Sequence, residues 1–137
     1  MKLTMKLSEN QRTLLLMSAR EAAKKAHCPY SKFHVGAAVL CTDLTIVTGC
    51  NVENASYGLT ICAERNAIFA TIAQGKRPAA IAVSCPDAPA DSPAQYKMPC
   101  GACRSVMSEF LDDDAPVLVD GVREFRLDEL LPLAFRL

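Results

Sequence analysis

The chain contains no tryptophan and only two histidines, and it has no excess of charge of either sign. Its fifteen basic side chains balance fifteen acidic ones, which argues against binding to long nucleic acid, because that function needs clustered lysine and arginine. No apolar run approaches the roughly 20 residues that cross a bilayer, and the run from Leu14 to Met17 is too short for a secretory signal. We therefore expect neither a polynucleotide partner nor a membrane.

The length and the cysteine content narrow the class of protein. A chain of 137 residues suffices for one domain with its own core, so residues 1–137 are predicted to form a single domain. Seven cysteines are an odd number in a chain that is not a small disulfide scaffold. This indicates a reduced, cytoplasmic compartment in which some thiols bind a metal or take part in catalysis.

The hydrophobic pattern alternates between helix and strand periodicity. Ser8 and Gln11 have the spacing of a capping box for the first helix, and Thr60 is placed to cap the second. The predicted order is helix 9–27, strands 35–41 and 44–51, helix 62–75, strand 80–85, helix 101–110, strands 116–120 and 122–125, and helix 127–131. This order predicts an α/β fold with a central mixed sheet and helices on both faces.

The candidate metal-binding and catalytic residues fall in two segments, which read Cys62-Ala63-Glu64 and Pro99-Cys100-Gly101-Ala102-Cys103. A single Cys-x-x-Cys is ambiguous, since it serves both redox and zinc sites. Pro99 stands where a helix begins, so Cys100 and Cys103 share one helix face, and Cys62 lies in the first turn of another helix. If the two helices pack side by side, three thiolates converge and leave one position vacant, as in a catalytic zinc site.

Charged residues accompany these cysteines. Zinc with three thiolates carries a net charge of about −1. Arg65 and Arg104, each one helical turn from a cysteine, are candidates for withdrawing charge from the sulfurs, and an ordinary surface position is about equally compatible with their spacing. Glu64 is a candidate proton carrier, because a carboxylate beside zinc can take a proton from water and deliver it to a substrate nitrogen. The zinc nucleobase deaminases combine such a non-ligating Glu with a Pro-Cys-x-x-Cys segment.

Longer motifs outside the metal segments resemble those of one family. Residues 28–38 read Cys-Pro-Tyr-Ser-Lys-Phe-His-Val-Gly-Ala-Ala, residues 48–58 read Thr-Gly-Cys-Asn-Val-Glu-Asn-Ala-Ser-Tyr-Gly, and residues 131–135 read Leu-Pro-Leu-Ala-Phe. Together with the cysteine segments they cover nearly the whole chain. The sequence thus resembles the cytidine deaminases of the short, homotetrameric type with three cysteine zinc ligands.

This resemblance implies a fold and an activity. It implies a three-layer α/β/α sandwich with a central five-stranded mixed sheet and one Zn²⁺ per chain. It also implies hydrolytic deamination of cytidine and 2′-deoxycytidine to uridine and 2′-deoxyuridine with release of ammonia, a step of pyrimidine salvage. The pocket would be completed by neighbouring subunits of a homotetramer, and the substrate would be a free nucleoside.

The resemblance also assigns residues. It gives zinc binding to Cys62, Cys100 and Cys103, and proton transfer to Glu64. The nucleoside contacts that it implies are Phe33 against the pyrimidine, Asn51 and Glu53 on the ribose hydroxyls, Ala55 and Tyr57 reaching into a neighbour's pocket, and Phe135 covering the base from another subunit.

Two positions depart from the family's usual pattern. Ser105 stands where the family has Gln, so any contact of that longer side chain is replaced or lost. Leu133 stands where Gly or an aromatic residue is usual, which bears on the placement of Phe135.

Three alternatives remain open on the residues alone. The first is a deaminase of another aminopyrimidine nucleoside, such as the antibiotic blasticidin S. The second is a non-enzymatic zinc module closed by a fourth ligand, Cys50 or His34, and the third is a thiol redox protein that uses Cys100 and Cys103. The cysteines outside the two metal segments are expected to be small buried hydrophobes, namely Cys28, Cys41, Cys50 and Cys85.

Overall fold

A computed structural model describes residues 6–137 as a five-stranded mixed sheet with helices on both faces. Residues 1–5 of the predicted domain lie outside the described residues. The elements are α1 Glu9–Ala23, β1 Gly36–Cys41, β2 Ile46–Cys50, α2 Ala63–Ala73, β3 Pro78–Ser84, α3 Gly101–Phe110, β4 Pro116–Val119, β5 Arg123–Arg126 and α4 Leu127–Leu130. Among the described residues, none of the helices is long and apolar enough to span a bilayer.

The sheet has the order β2-β1-β3-β4-β5. The hairpin β1–β2, the pair β1–β3 and the pair β4–β5 are antiparallel, whereas β3 and β4 are parallel and are connected through α3. A parallel pair requires such a crossover, because a tight turn can join only antiparallel neighbours. The predicted mixed sheet is confirmed.

Alternating residues of the central strands divide the core into two layers, as the period of two in a strand requires. On β1, Ala37 and Val39 face α2 and α3, whereas Ala38 and Leu40 face α1. Because every residue of β1 is buried, the strand is apolar on both sides. This burial gives the predicted three-layer α/β/α sandwich its two hydrophobic cores.

Several predicted helix ends differ from the structure, in which α2 ends at Ala73 instead of residue 75 and α4 at Leu130 instead of residue 131. The first helix ends at Ala23 instead of residue 27, because the amides of residues 24–26 bond to carbonyls three residues back and the chain then turns so that His27 pairs with Val52. Cys62, and not Thr60, is the N-cap of α2. The Thr60 hydroxyl instead accepts a hydrogen bond from the amide of Asn54. The capping box of Ser8 and Gln11 is present as predicted.

Two glycines allow the helices to approach the sheet closely. A Cβ on Gly36 of β1 would lie 1.9 Å from the carbonyl oxygen of Ala19 in α1. A Cβ on Gly49 of β2 would lie 2.4 Å from the amide nitrogen of Ala67 in α2. Since both contacts are with backbone, no side chain can move aside, and the glycines set the distance between helix and sheet.

We expect Gly36→Ala to destabilise the protein by about 3 kcal/mol, the upper end of the cost of overpacking, because α1 must move off the sheet. Gly49→Ala is expected to lower the free energy of unfolding by a similar amount, because α2 must then move off the sheet. Gly58→Ala is the matched control: a Cβ there meets nothing within 4 Å, and its effect should stay within about 0.5 kcal/mol. Urea unfolding measures all three variants, and equal stability of Gly36→Ala and Gly58→Ala would contradict this close packing.

Candidate metal centre and substrate pocket

Three thiols from two helix starts converge at one point of the structure. Cys62 is the N-cap of α2, Cys100 is the N-cap of α3, and Cys103 lies one turn into α3. Their three Sγ atoms lie within 4.8 Å of one another. The Cys62–Cys100 sulfur distance is 3.9 Å and the Cys100–Cys103 distance is 3.4 Å. The structure therefore brings together the three thiols that the sequence singles out.

The spacing of these sulfurs fits a tetrahedral zinc ion. Zn–S bonds of about 2.3 Å at tetrahedral angles place sulfurs about 3.8 Å apart. The amide of Cys103 also donates to the Cys100 sulfur at 3.5 Å, and the partial positive charge of both helix starts lies beside the sulfurs. Within residues 6–137, no other His, Cys, Asp or Glu belongs to this cluster. Three sulfur ligands leave a fourth zinc position open.

Arg65 contacts the cluster directly. Its Nη2 donates to the Cys62 sulfur at 3.3 Å. A hydrogen bond from the Cys103 thiol, followed by that from Arg65, lowers the pKa of Cys62. The Nε of Arg65 is buried without a hydrogen-bond partner. A half-buried guanidinium of this kind matches a zinc–tris-thiolate cluster, because its charge offsets the cluster's net charge of about −1.

Arg104 has different immediate partners from those that the sequence suggested. Its Nε donates to the carbonyl oxygen of Pro99 at 2.8 Å and its Nη1 to that of Leu130 at 2.9 Å. Both acceptors are therefore backbone carbonyl oxygens, and neither is a cysteine sulfur. The guanidinium joins the residue before Cys100 to the end of α4, so its contacts restrain the ligand segment.

Glu64 lies in the first turn of α2, and only 4% of its surface is exposed. Burial raises the pKa of Glu64 to about 7, and the nearby Cys62 thiolate acts in the same direction. An acidic side chain this deeply buried is rare unless it has a chemical role or a partner. The structure therefore places a buried carboxyl group close enough to Cys62 for their charges to interact.

A second group of predicted residues surrounds the entry to β1. The Asn51 amide donates from Nδ2 to the carbonyl of Phe33 at 2.8 Å and accepts at Oδ1 from the amide of Val35 at 2.9 Å. Glu53 accepts from the amides of Tyr30 and Ser31, both at 3.1 Å. Phe33, Asn51 and Glu53 are thus held together by one hydrogen-bond network.

A cavity of about 360 Å³ adjoins this network. The residues that line it are Tyr30, Ser31, Glu53, Tyr57 and Thr60. The rings of Tyr30 and Tyr57 meet edge to face, with centroids 6.3 Å apart. In contrast, Ala55 is exposed and 85% of the Phe135 surface is exposed. The single chain therefore does not bring these two predicted contacts into its own pocket.

The remaining cysteines and histidines behave differently from the cluster. Cys28 and Cys41 are buried, and burial raises the pKa of each thiol. The prediction of burial is wrong for Cys50 and Cys85, which are half-buried, and Cys50 does not join the cluster. The Nδ1 of His34 lies 2.7 Å from a carboxylate oxygen of Asp87. Neither Cys50 nor His34 therefore serves as the fourth ligand that a closed zinc module requires.

The structure also reveals residues that the sequence reasoning missed. Ser31 contacts Glu53 through both its amide and its hydroxyl, although the motif analysis assigned it no role beyond a place in the Pro-Tyr-Ser segment. Asp87 secures the segment after β3 to His34. A serine two residues after a proline is a signal for a turn, but its partner 22 residues away is set by tertiary structure.

Comparisons with known proteins agree with this site. The family model of the cytidine and deoxycytidylate deaminase zinc-binding region matches residues 9–119. A cytidine deaminase of Halalkalibacterium halodurans is 42% identical over 128 residues, which are 90% of this chain and 93% of that protein.

Two crystal structures extend the similarity to the fold. That of cytidine deaminase from Burkholderia pseudomallei has a TM-score of 0.81 at 42% identity and covers 94% of this chain and 100% of its own. The crystal structure of cytidine deaminase from Mycobacterium tuberculosis has a TM-score of 0.79 at 42% identity, and the match covers 92% of this chain and 98% of the other.

The family match and the chemistry of the cluster lead to the same cofactor. The matched region is described by its zinc binding and includes all three clustered cysteines, so the cofactor is Zn²⁺. The relatives are similar over nearly their full length, in sequence and in fold. This chain is an enzyme of the cytidine and deoxycytidylate deaminase family.

Proposed function

We propose that this protein catalyses the zinc-dependent hydrolytic deamination of cytidine and 2′-deoxycytidine, with uridine or 2′-deoxyuridine and ammonia as products. The observation that carries the proposal is the convergence of three thiols together with the buried carboxyl of Glu64. The relatives that are named cytidine deaminases support the substrate. The balanced charge of the chain favours a free nucleoside over a polynucleotide.

Cys62, Cys100 and Cys103 are the residues that would hold the zinc. Bound there, zinc supplies a Lewis acid that activates water for attack on the ring carbon bearing the amino group. Glu64 accepts a proton from the attacking water and delivers it to the ring nitrogen. It then takes the second proton from the hydroxyl that is now attached to the ring carbon and passes it to the amino group, so that the carbon–nitrogen bond breaks and ammonia leaves. Because Glu64 is buried, bulk water does not compete for these protons.

The nucleoside is held by residues at the entry to β1. Asn51 keeps one amide proton and one oxygen lone pair free after its two backbone contacts, and these suit a ribose hydroxyl, which both donates and accepts. Glu53 offers an acceptor beside the cavity of about 360 Å³. Phe33 packs against the pyrimidine. This ribose recognition favours an ordinary nucleoside over a modified one such as blasticidin S.

The active form is a homotetramer in the cytoplasm, where it serves pyrimidine salvage, and each chain of 137 residues acts as one domain. The exposure of Tyr57 and Phe135, at 78% and 85%, supports the sharing of pockets between subunits. Burying such large exposed side chains against another copy would remove apolar surface from water. In the assembly, Tyr57 and Ala55 contact a neighbour's nucleoside, and Phe135 covers the base in another pocket.

Glu64→Gln is expected to lower the turnover of cytidine by a factor of about 10² to 10⁴, because the amide cannot carry protons, while zinc is retained. Cys100→Ser should lose most of the zinc, since a thiolate ligand is missing. A spectrophotometric assay and elemental analysis of both purified variants provide the measurements. Equal zinc content in the two variants would contradict the ligand assignment, and full activity of Glu64→Gln would contradict its role.

The two arginines provide a second test. Arg65→Gln removes the donor to the Cys62 sulfur, which leaves more negative charge on the cluster, so kcat per bound zinc should fall by about tenfold. Arg104→Gln loses two hydrogen bonds to backbone and should mainly lower the melting temperature, with a smaller loss of kcat. If both variants lose kcat equally at equal zinc content, direct contact with the sulfur is not what tunes the cluster.

The assembly can be tested at the carboxyl end. Light scattering should give four times the chain mass of 14.8 kDa. Phe135→Ala should raise the KM for cytidine by about tenfold, because a buried aromatic contact with the base is lost. Leu137→Ala in the same tail is the matched control, since Leu137 has no assigned contact. A monomeric mass combined with full activity would exclude the shared pocket.

A further inference from the structure

The carboxylate of Glu53 is bound from three directions by a single turn of the chain. Its Oε1 accepts from the amides of Tyr30 and Ser31, at 3.1 Å each, and its Oε2 accepts from the Ser31 hydroxyl. We infer that Ser31 is a positioning residue that aims the carboxylate of Glu53 at one hydroxyl of the ribose. This inference rests on the proposed function of the site, and it adds a determinant of sugar specificity.

The number of acceptor positions left on Glu53 supports this inference. A carboxylate has two lone pairs on each oxygen. Both positions on Oε1 are taken by the amides of Tyr30 and Ser31, and one on Oε2 is taken by the Ser31 hydroxyl. A single acceptor position therefore remains, on Oε2. A carboxylate held in this way has one acceptor to offer to one alcohol, in a fixed direction.

The proton of the Ser31 hydroxyl has a defined direction. The Ser31 oxygen accepts a hydrogen bond from the amide of Phe33 at 3.0 Å, so its only proton is donated to Oε2 of Glu53. Lys32, between these two residues, has a φ of 60°, an uncommon left-handed conformation for a residue with a side chain. This conformation turns the Phe33 amide back toward the serine, so the local backbone holds the hydroxyl in its orientation.

The same network includes the other nucleoside contacts. The carbonyl of Phe33 accepts from the Asn51 amide at 2.8 Å, and the amide of Phe33 donates to Ser31. Glu53 is further secured through its own amide, which donates to the carbonyl of His27 at 2.8 Å. Ser31 thus joins the residue assigned to the pyrimidine to the carboxylate assigned to the sugar. A nucleoside that fits both at once meets a preorganised surface.

The charge of Glu53 is consistent with this role. The hydrogen bond from the Ser31 hydroxyl, together with those from the two amides, lowers the pKa of Glu53. The side chain is therefore ionised at neutral pH and can only accept hydrogen bonds. A sugar that lacks the hydroxyl at this position leaves the acceptor unpaired, which favours substrates that carry this hydroxyl.

The test compares cytidine with 2′,3′-dideoxycytidine in the zinc-loaded enzyme and in Ser31→Ala. With cytidine, Ser31→Ala should raise KM by about tenfold, the loss expected for one hydrogen bond to a charged group, and should change kcat less. With the dideoxy substrate, kcat/KM should change by less than about threefold, because this sugar lacks both of the ring hydroxyls, at C2′ and C3′, that Glu53 would accept from. Ser31→Thr keeps the hydroxyl and should restore the discrimination between the two substrates.

A measurement without turnover gives the same comparison. Calorimetric binding of uridine, the product, should weaken in Ser31→Ala by about the same factor as the KM effect, whereas zinc content should match that of the wild type. Ser92→Ala is the matched control, because Ser92 also donates to a nearby carbonyl in a loop, that of Pro89. Ser92→Ala should leave the ratio of kcat/KM for cytidine to kcat/KM for 2′,3′-dideoxycytidine unchanged.

The outcomes separate this inference from the proposed function. If the wild type deaminates neither nucleoside, the proposed function fails. A second case is that the wild type deaminates cytidine, but Ser31→Ala lowers kcat/KM by the same factor for both substrates or leaves both unchanged. Ser31 then does not aim Glu53, and the inference alone is overturned. If Ser31→Ala does not yield folded protein, Ser31→Cys replaces it under the same criterion, since a thiol fills the space but is a weak donor.

Discussion

The convergence of three sulfurs at two helix starts is the constraint on which the site depends. Cys62 and Cys100 are N-caps, so the positions of both ligands are fixed by where α2 and α3 begin. The start of α2 is in turn fixed by its contact with β2, where Gly49 permits the backbone approach. The metal geometry is therefore a consequence of how closely the helix packs on the sheet, and a small shift of α2 would separate Cys62 from its partners.

Electrostatics explains why the residues around the sulfurs are polar in a mostly apolar core. A zinc ion with three thiolates keeps about one negative charge, which is costly in a buried environment. The helix starts and the guanidinium of Arg65 offset that charge. Glu64 is a further acidic group in the same region, where burial raises its pKa to about 7. The site therefore combines a carboxyl group that titrates near neutral pH with a guanidinium that donates to a sulfur.

Periodicity predicted most of the fold, because strands buried on both faces and helices with one apolar face leave regular patterns. Helix 101–110 was predicted with its observed bounds, whereas the end of α1 was not, since the sequence after Ala23 still favours helix and only tertiary pairing of His27 ends it. Spacing also predicted that Cys100 and Cys103 share one helix face, whereas the approach of Cys62 depended on the two helices packing side by side. It did not predict the contacts of Arg104 or Ser31, because their partners come from distant segments.

The central claim is that the metal is bound by three sulfurs and has one open position. The most direct test is the electronic absorption spectrum of the cobalt(II)-substituted protein, together with X-ray absorption of the zinc form. The account predicts a tetrahedral ion with three sulfur ligands and one oxygen or nitrogen ligand, at about one metal per chain. Four sulfur ligands, or freshly purified protein without a transition metal, would contradict it.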